Sequence, residues 1–151
     1  MKTILVPVDF SPISKQVLKE AAVLARLASA RLVLLNVIAP PYVGTDFYGF
    51  AGENLVTIAA AAEMHSARHL ARLKQTLEQA ALPTETNHLT GYPLSVILDQ
   101  ADKLEADYIV IGSHGHTAFY DLFIGSVATG VLRGARCPVL IVPPAKTRPR
   151  R

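Results

Sequence analysis

Four short apolar runs and one alternating segment are interleaved along this chain with stretches whose apolar residues recur at helical spacing, and that order restricts it to very few folds. Residues 3–8 form the first run, a candidate buried strand. Ser11 or Ser14 can cap a helix reaching to about Ala30, with Val17, Leu18, Ala21, Ala22, Leu24 and Ala25 along one face. Arg31–Ile38 is again almost continuously apolar, as strands covered on both faces are. Residues 39–53 are rich in proline, glycine and aromatics and read as a loop. A long helix follows from about Leu55 to Ala81, stopped by Pro83. Thr84–Leu89 alternates enough for a strand, and Pro93 suits the first turn of a helix running to about Glu105. A strand over 107–112, a helix over 125–134 and a strand over 138–142 complete the chain. Strands alternating with helices predict an α/β fold: an open five-stranded parallel sheet with helices on both faces, Rossmann-like, with right-handed crossovers. A ligand then belongs beyond the carboxyl ends of the strands, where strand order reverses. Asp9, Val37 and Gly112 each lie at or just past such an end.

Length and composition agree with one domain. The chain has 151 residues, half of them apolar, enough for a proper core and too apolar for a disordered segment. No linker or repeat divides it, so residues 1–145 read as a single domain. The last residues, 146–151, read as a basic, disordered tail. That tail carries much of the net charge of +3, leaving the body near neutral, so no basic face points to nucleic acid. The lone Cys137 excludes an internal disulfide and fits a reducing compartment. Asp9 interrupts the N-terminal apolar run too early for a signal peptide, and no apolar stretch approaches the roughly 20 residues of a membrane span. The expectation is a soluble, cytoplasmic protein.

The richest local pattern is Gly112-Ser113-His114-Gly115, nine further residues, then Gly125-Ser126. It follows the strand-like Tyr108–Ile111 and precedes the helix-like Val127–Arg133. Glycines let backbone pass close to a ligand without a Cβ in the way. At the helix start, unpaired N–H groups and the positive end of the helix dipole favour an anion. Strand tip, glycine loop and helix start together suggest a phosphate cradle. The ordinary alternative is a loop with turn glycines and a serine near a helix start.

That spacing resembles the nucleotide-binding signature of the universal stress protein family. Further segments share the likeness: Ile4-Leu-Val-Pro-Val-Asp9-Phe-Ser, Asn36-Val37-Ile38 and Cys137-Pro-Val-Leu-Ile-Val142, spanning roughly residues 2 to 143. The resemblance implies an adenine nucleotide alpha hydrolase-like fold binding ATP, with or without Mg2+, and a role in stress response. It implies that Pro7, Val8 and Asp9 belong to the nucleotide site, with Asp9 near adenine and ribose. Val37 would offer backbone contacts to the adenine edge and Ile111 would pack on the base. Gly112 and Gly115 would approach ribose and phosphate, with Ser113 and His114 between them. Gly125, Ser126 and Val127 would hold the outer phosphates. His116 stands where resembling sequences frequently carry arginine, and is either a phosphate donor or merely solvated.

Each of these residues also has a plainer reading. Asp9 can simply cap the turn after its strand, and Pro7 and Val37 can be core. His65 and His69 share a helix face, but two ligands do not make a zinc site, so a solvated face is expected. Cys137, before an apolar strand, reads as packing. Glycines and aromatics between 43 and 52 (Phe47, Tyr48 and Phe50, beside Tyr42) make either a flap over the ligand or an ordinary surface loop. The chain has no Gly-Lys-Ser/Thr lysine and no evident acid–base pair, so no catalytic or metal-ligating residues are assigned. The leading expectation is a nucleotide-dependent binding or signalling module. The alternatives are a slow ATP hydrolase and a nucleotide-free dimeric scaffold. The final strand, Val139, Leu140, Ile141 and Val142, is apolar and expected at a sheet edge, where pairing with a second copy would form a homodimer.

Overall fold

A computed structural model describes residues 1–40, 51–114 and 124–145. Its elements are β1 (Lys2–Pro7), α1 (Ser14–Ala28), β2 (Ala30–Ile38), α2 (Ala51–Gln79) and β3 (Thr84–Thr90). These are followed by α3 (Pro93–Lys103), β4 (Tyr108–Gly112), α4 (Ser126–Gly134) and β5 (Val139–Val142). The five strands form one sheet in the order β3-β2-β1-β4-β5, every neighbour parallel. The chain winds outward from β1 through β2 to β3, then returns to the other side of β1 for β4 and β5. The order therefore reverses between β1 and β4.

The near-continuous apolar strands are explained by two separate cores. Side chains alternate across a strand. Ile4 and Val6 of β1 face one layer, with Val17, Ala21 and Ala25 of α1 and Leu70 and Leu77 of α2. Leu5 of β1 faces the other, with Val33 and Ile109, against Ile97 and Ala101 of α3 and Ala128 and Val131 of α4. Both faces of the middle strands are thus buried, and no polar alternation is possible there.

Element ends differ from the sequence expectation in specific ways. Neither Ser11 nor Ser14 caps α1. The N-cap position is Ile13, without a side-chain bond, and Ser14 is already helical. Asp9 performs the turn-forming role instead: its Oδ1 accepts from the Ser11 amide at 3.0 Å and from the Ser14 hydroxyl at 3.2 Å. At the other end, α1 stops at Ala28 because Ser29 adopts a left-handed backbone (φ 50°) and Ala30 already belongs to β2. Helix α2 begins at Ala51, so residues 51–53 are helical rather than loop. One glycine, Gly52, costs about 1 kcal/mol relative to alanine, a penalty a long helix absorbs. Its end is set by Ala81, whose positive φ of 58° turns the chain so that the Leu82 amide reaches the Leu77 carbonyl at 3.0 Å. Pro93 occupies the first turn of α3 as expected.

Candidate functional site

Strands β1 and β4 end side by side at the switch point, and a crevice of about 230 Å³ opens beyond them. Pro7, Val8 and Asp9 line it from the end of β1, and Leu35 and Val37 from β2. Ile111, Gly112, Ser113 and His114 line it from β4 and the residues just after. Gly125, Ser126 and Val127 close it at the start of α4. Every candidate site residue within the described part therefore borders one cavity. Gly115 and His116 lie outside the described residues, as does the segment 41–50 and with it the flap reading.

The glycines shape this crevice through the protein's own packing. A Cβ on Gly112 would sit 3.1 Å from Ile13 Cγ2 and 3.3 Å from the His114 carbonyl. Both are closer than ordinary contact. Glycine there lets the tip of β4 lie against the entry to α1. A Cβ on Gly125 would meet the Ser113 carbonyl at 3.3 Å. The Gly125 amide donates to that same carbonyl at 2.6 Å, while the Ser113 amide donates to the Val142 carbonyl at 2.8 Å. The glycine loop is therefore closed at its base and bonded to β5.

Helix α4 begins directly on this closure. Gly125 is its N-cap, in extended backbone (φ −62°, ψ 160°), and makes no side-chain cap. The first amides of a helix have no intrahelical acceptor. Those of Ser126 and Val127 therefore suit an anion brought to the rim of the crevice. Deeper down, Pro7, Leu35, Val37, Ile97 and Ile111 make an apolar wall fit for a flat ring. Polar side chains are few: Asp9, Ser14, Ser113, His114 and Ser126 among the described lining residues. His114 Nδ1 shares a hydrogen bond of 2.7 Å with the Ser113 hydroxyl, and its Nε2 is buried without a partner among the described residues. Asp9 is the single carboxylate on the described lining. Among the described residues, no group of three or more His, Cys, Asp or Glu could hold a metal ion.

The sequence reading missed seven of the eighteen described residues that line the crevice. Ile13, Ser14 and Val17 of the α1 entry, Leu35, Ala128, and Pro93 and Ile97 of α3 also line it. Helix α3 reaches the site because α4 lets it approach. Cβ atoms on Gly130 and Gly134 would lie 2.6 Å from Leu94 Cδ2 and 2.7 Å from Leu98 Cδ1. Two glycines one turn apart on α4 were the available signal. The histidine pair makes contacts that the sequence did not suggest. The His65 and His69 rings lie against each other at a tilt of 42°, centroids 4.3 Å apart, and Phe10 lies 4.8 Å from His69. His65 is exposed and His69 half-buried, so the face is solvated as expected, and the pair also borders the turn after β1 through Phe10. Cys137 is half-buried against the second core, and burial raises its pKa, with the Asp102 and Asp107 carboxylates adding to the effect.

Fold and site together define an open parallel α/β domain with its ligand crevice at the topological switch point. The universal stress protein family model matches residues 1–143, and the chain belongs to that family. It is 34% identical over 144 residues to universal stress protein A homolog 1 of Coxiella burnetii, covering 93% of this chain and 95% of that protein. Universal stress protein UspA from Lactobacillus plantarum superposes with a TM-score of 0.82 at 27% identity, covering 93% of this chain and 97% of the other. A universal stress protein from Archaeoglobus fulgidus, solved in complex with dAMP, superposes with a TM-score of 0.65 at 25% identity, covering 93% and 97%. No helix among the described residues is long and apolar enough to cross a membrane.

Proposed function

We propose that this protein binds ATP in the crevice between β1 and β4 and acts as a nucleotide-dependent binding or signalling module in stress response. The observation that carries the reading is the meeting of two surfaces in one cavity: an apolar wall of Pro7, Val37 and Ile111, and the open amides at the start of α4. The base lies on the first and the phosphates on the second. The dAMP complex of the Archaeoglobus fulgidus relative supports an adenine nucleotide as the ligand class. Asp9, anchored by Ser11 and Ser14, would face the ribose, and Gly112 to His114 would follow the ribose and phosphates. Gly115 and His116 would continue that path. Asp9 offers a carboxylate for Mg2+ when the triphosphate carries one.

Binding is favoured over rapid hydrolysis because phosphoryl transfer needs concentrated positive charge and a positioned nucleophile. None of the described lining residues is a lysine or arginine. The working unit would be a cytoplasmic homodimer of single domains spanning residues 1–145, joined along the edge strand β5, with 146–151 as a basic tail. The test is mass spectrometry of small molecules released on denaturing freshly purified protein, followed by ATP titration calorimetry of the emptied protein. Recovery of an adenine nucleotide and saturable one-to-one ATP binding are expected. A protein that releases none and shows no heat with ATP, ADP or AMP would sink the reading.

A further inference from the structure

The geometry points to Ser66 and Asn36 as positioning residues that fasten the Asp9 turn, and with it one wall of the crevice, to helix α2. Its consequence for ligand rests on the nucleotide reading above. The Ser66 hydroxyl donates to Asn36 Oδ1 at 2.8 Å, and Asn36 Nδ2 donates to the Val8 carbonyl at 2.8 Å. All three residues are buried: Ser66 is 1% exposed, Val8 4% and Asn36 7%. One side-chain amide thus serves two partners of opposite character. The hydroxyl needs an acceptor and the carbonyl needs a donor, which fixes the orientation of the Asn36 amide.

The bonds act on a short, strained turn. The Val8 amide donates to the Leu35 carbonyl at 2.8 Å, extending β1 past its last paired residue. Asp9 follows, then Phe10 in left-handed backbone (φ 60°), a conformation that aromatic residues rarely adopt and that surrounding contacts must enforce. Two of those contacts come from α2: the His69 ring lies 4.8 Å from the Phe10 ring and the His65 ring 6.1 Å away, edge-on. Val8 is held by Asn36 and Ser66, Asp9 by Ser11 and Ser14, and Phe10 by His65 and His69. None of the described residues of α2 lines the crevice, yet α2 supplies two of these three restraints. Tight ligand binding needs the Asp9 carboxylate held in place by a supporting shell, and that shell includes a helix on the far side of the turn.

Removing the Ser66 hydroxyl leaves Asn36 Oδ1 buried without its partner and frees the amide to leave the Val8 carbonyl. The test uses Ser66→Ala, with His69→Ala as a second, half-buried lesion. Leu77→Ala is the control, because it damages α2 packing far from the turn. Two readouts are compared in the full-length chain: hydrogen exchange of the Ser11 amide, which donates to Asp9 Oδ1, without nucleotide, and the ATP dissociation constant. Ser66→Ala should raise Ser11 exchange roughly tenfold beyond the control and weaken ATP about fivefold. His69→Ala should shift both in the same direction by less, and Leu77→Ala should lower the melting temperature without moving either. Ser11 exchange in Ser66→Ala and His69→Ala that matches the control overturns the inference. So does faster exchange with unchanged ATP affinity. A parent protein that binds no adenine nucleotide sinks the nucleotide reading instead, and the exchange data then decide by themselves whether α2 holds the turn.

Discussion

The Gly125 amide donates to the Ser113 carbonyl at 2.6 Å, tying the residue after strand β4 directly to the residue before helix α4. The open amides at the helix start are therefore held at a fixed distance from the strand tip. A Cβ on Gly125 points toward this closure, 3.3 Å from the Ser113 carbonyl and 3.9 Å from His114 Cα. A side chain at this position disturbs the loop base before it touches any ligand.

A graded series at Gly125 should show this. Gly125→Ala needs a shift of a few tenths of an ångström and should weaken ATP only slightly. Gly125→Val adds branched bulk at the same point and should weaken it by about tenfold, equivalent to 1.4 kcal/mol. Circular dichroism should stay close to that of the parent, because α4 packs through Ala128 and Val131, away from the substitution. Calorimetric titration of the three proteins checks the order. Equal affinities would remove the loop base from the binding site.

Asp9→Asn separates the two roles of that carboxylate. An asparagine oxygen can still accept from the Ser11 amide and the Ser14 hydroxyl, so these two bonds survive with a loss of charge assistance of about 1 kcal/mol. Its negative charge, which in the proposed complex would face the ribose or a metal ion on the phosphates, is gone. Thermal melts should show a small drop without nucleotide, and the ATP-induced rise in melting temperature should shrink to roughly half. A ligand-induced shift equal to the parent's would take Asp9 out of the site.

The fold was legible because its signals are local. Apolar runs such as Ile4–Val6 and Leu32–Leu35 have no polar alternation, which only a sheet covered on both faces explains. The residues at the strand ends, Asp9, Val37 and Gly112, followed once the strands were placed. What stayed hidden is tertiary. Ile13, Pro93 and Ile97 border the crevice because of how α1 and α3 lean on the sheet, and the α3 lean depends on missing side chains at Gly130 and Gly134. The capping reading of Ser11 and Ser14 failed because α1 starts at Ser14 itself, with Ile13 at the cap position, and the Ser14 hydroxyl is turned back to donate to Asp9. Sequence offered Asn36 and Ser66 only as a polar residue in a strand and a serine in a helix. Their contact, 30 residues apart along the chain, needed coordinates.

Cys137 should be a slow nucleophile. Burial disfavours its thiolate, and the Asp102 and Asp107 carboxylates push in the same direction. Its folded pKa is raised, so at neutral pH the reactive thiolate is scarcer than in an unfolded chain. Each unit of upward shift removes about tenfold of it. Iodoacetamide labelling at neutral pH should be slower in the native protein than in urea, and the gap should narrow as pH rises through the raised value, a pH dependence that restricted access alone does not produce. The folded state also holds the thiol proton more tightly than the unfolded one. Its contribution to stability is therefore full below the ordinary thiol range and is lost as pH rises through the raised value. Native labelling as fast as in urea would contradict both statements.

Strand β5 lies at one edge of the sheet, which gives the dimer prediction a definite residue. Leu140 is 42% exposed, whereas Ile141 packs against the core formed with α3 and α4. An exposed apolar edge invites pairing with another strand, and a two-fold pairing of β5 with its copy would cover Leu140 while satisfying both rows of backbone groups. Pro138 before the strand and Pro143 after it limit the pairing to its middle. Light scattering at micromolar concentration should report a dimer for the parent. Leu140→Lys should run as a monomer that keeps the parent's circular dichroism, because within one subunit Leu140 is exposed and leaves both cores intact. Ile141→Lys should instead destabilise the domain, by roughly 1–3 kcal/mol, since it forces an ammonium into the inner face. A monomeric parent, or a Leu140→Lys variant that remains dimeric, would place the subunit contact elsewhere.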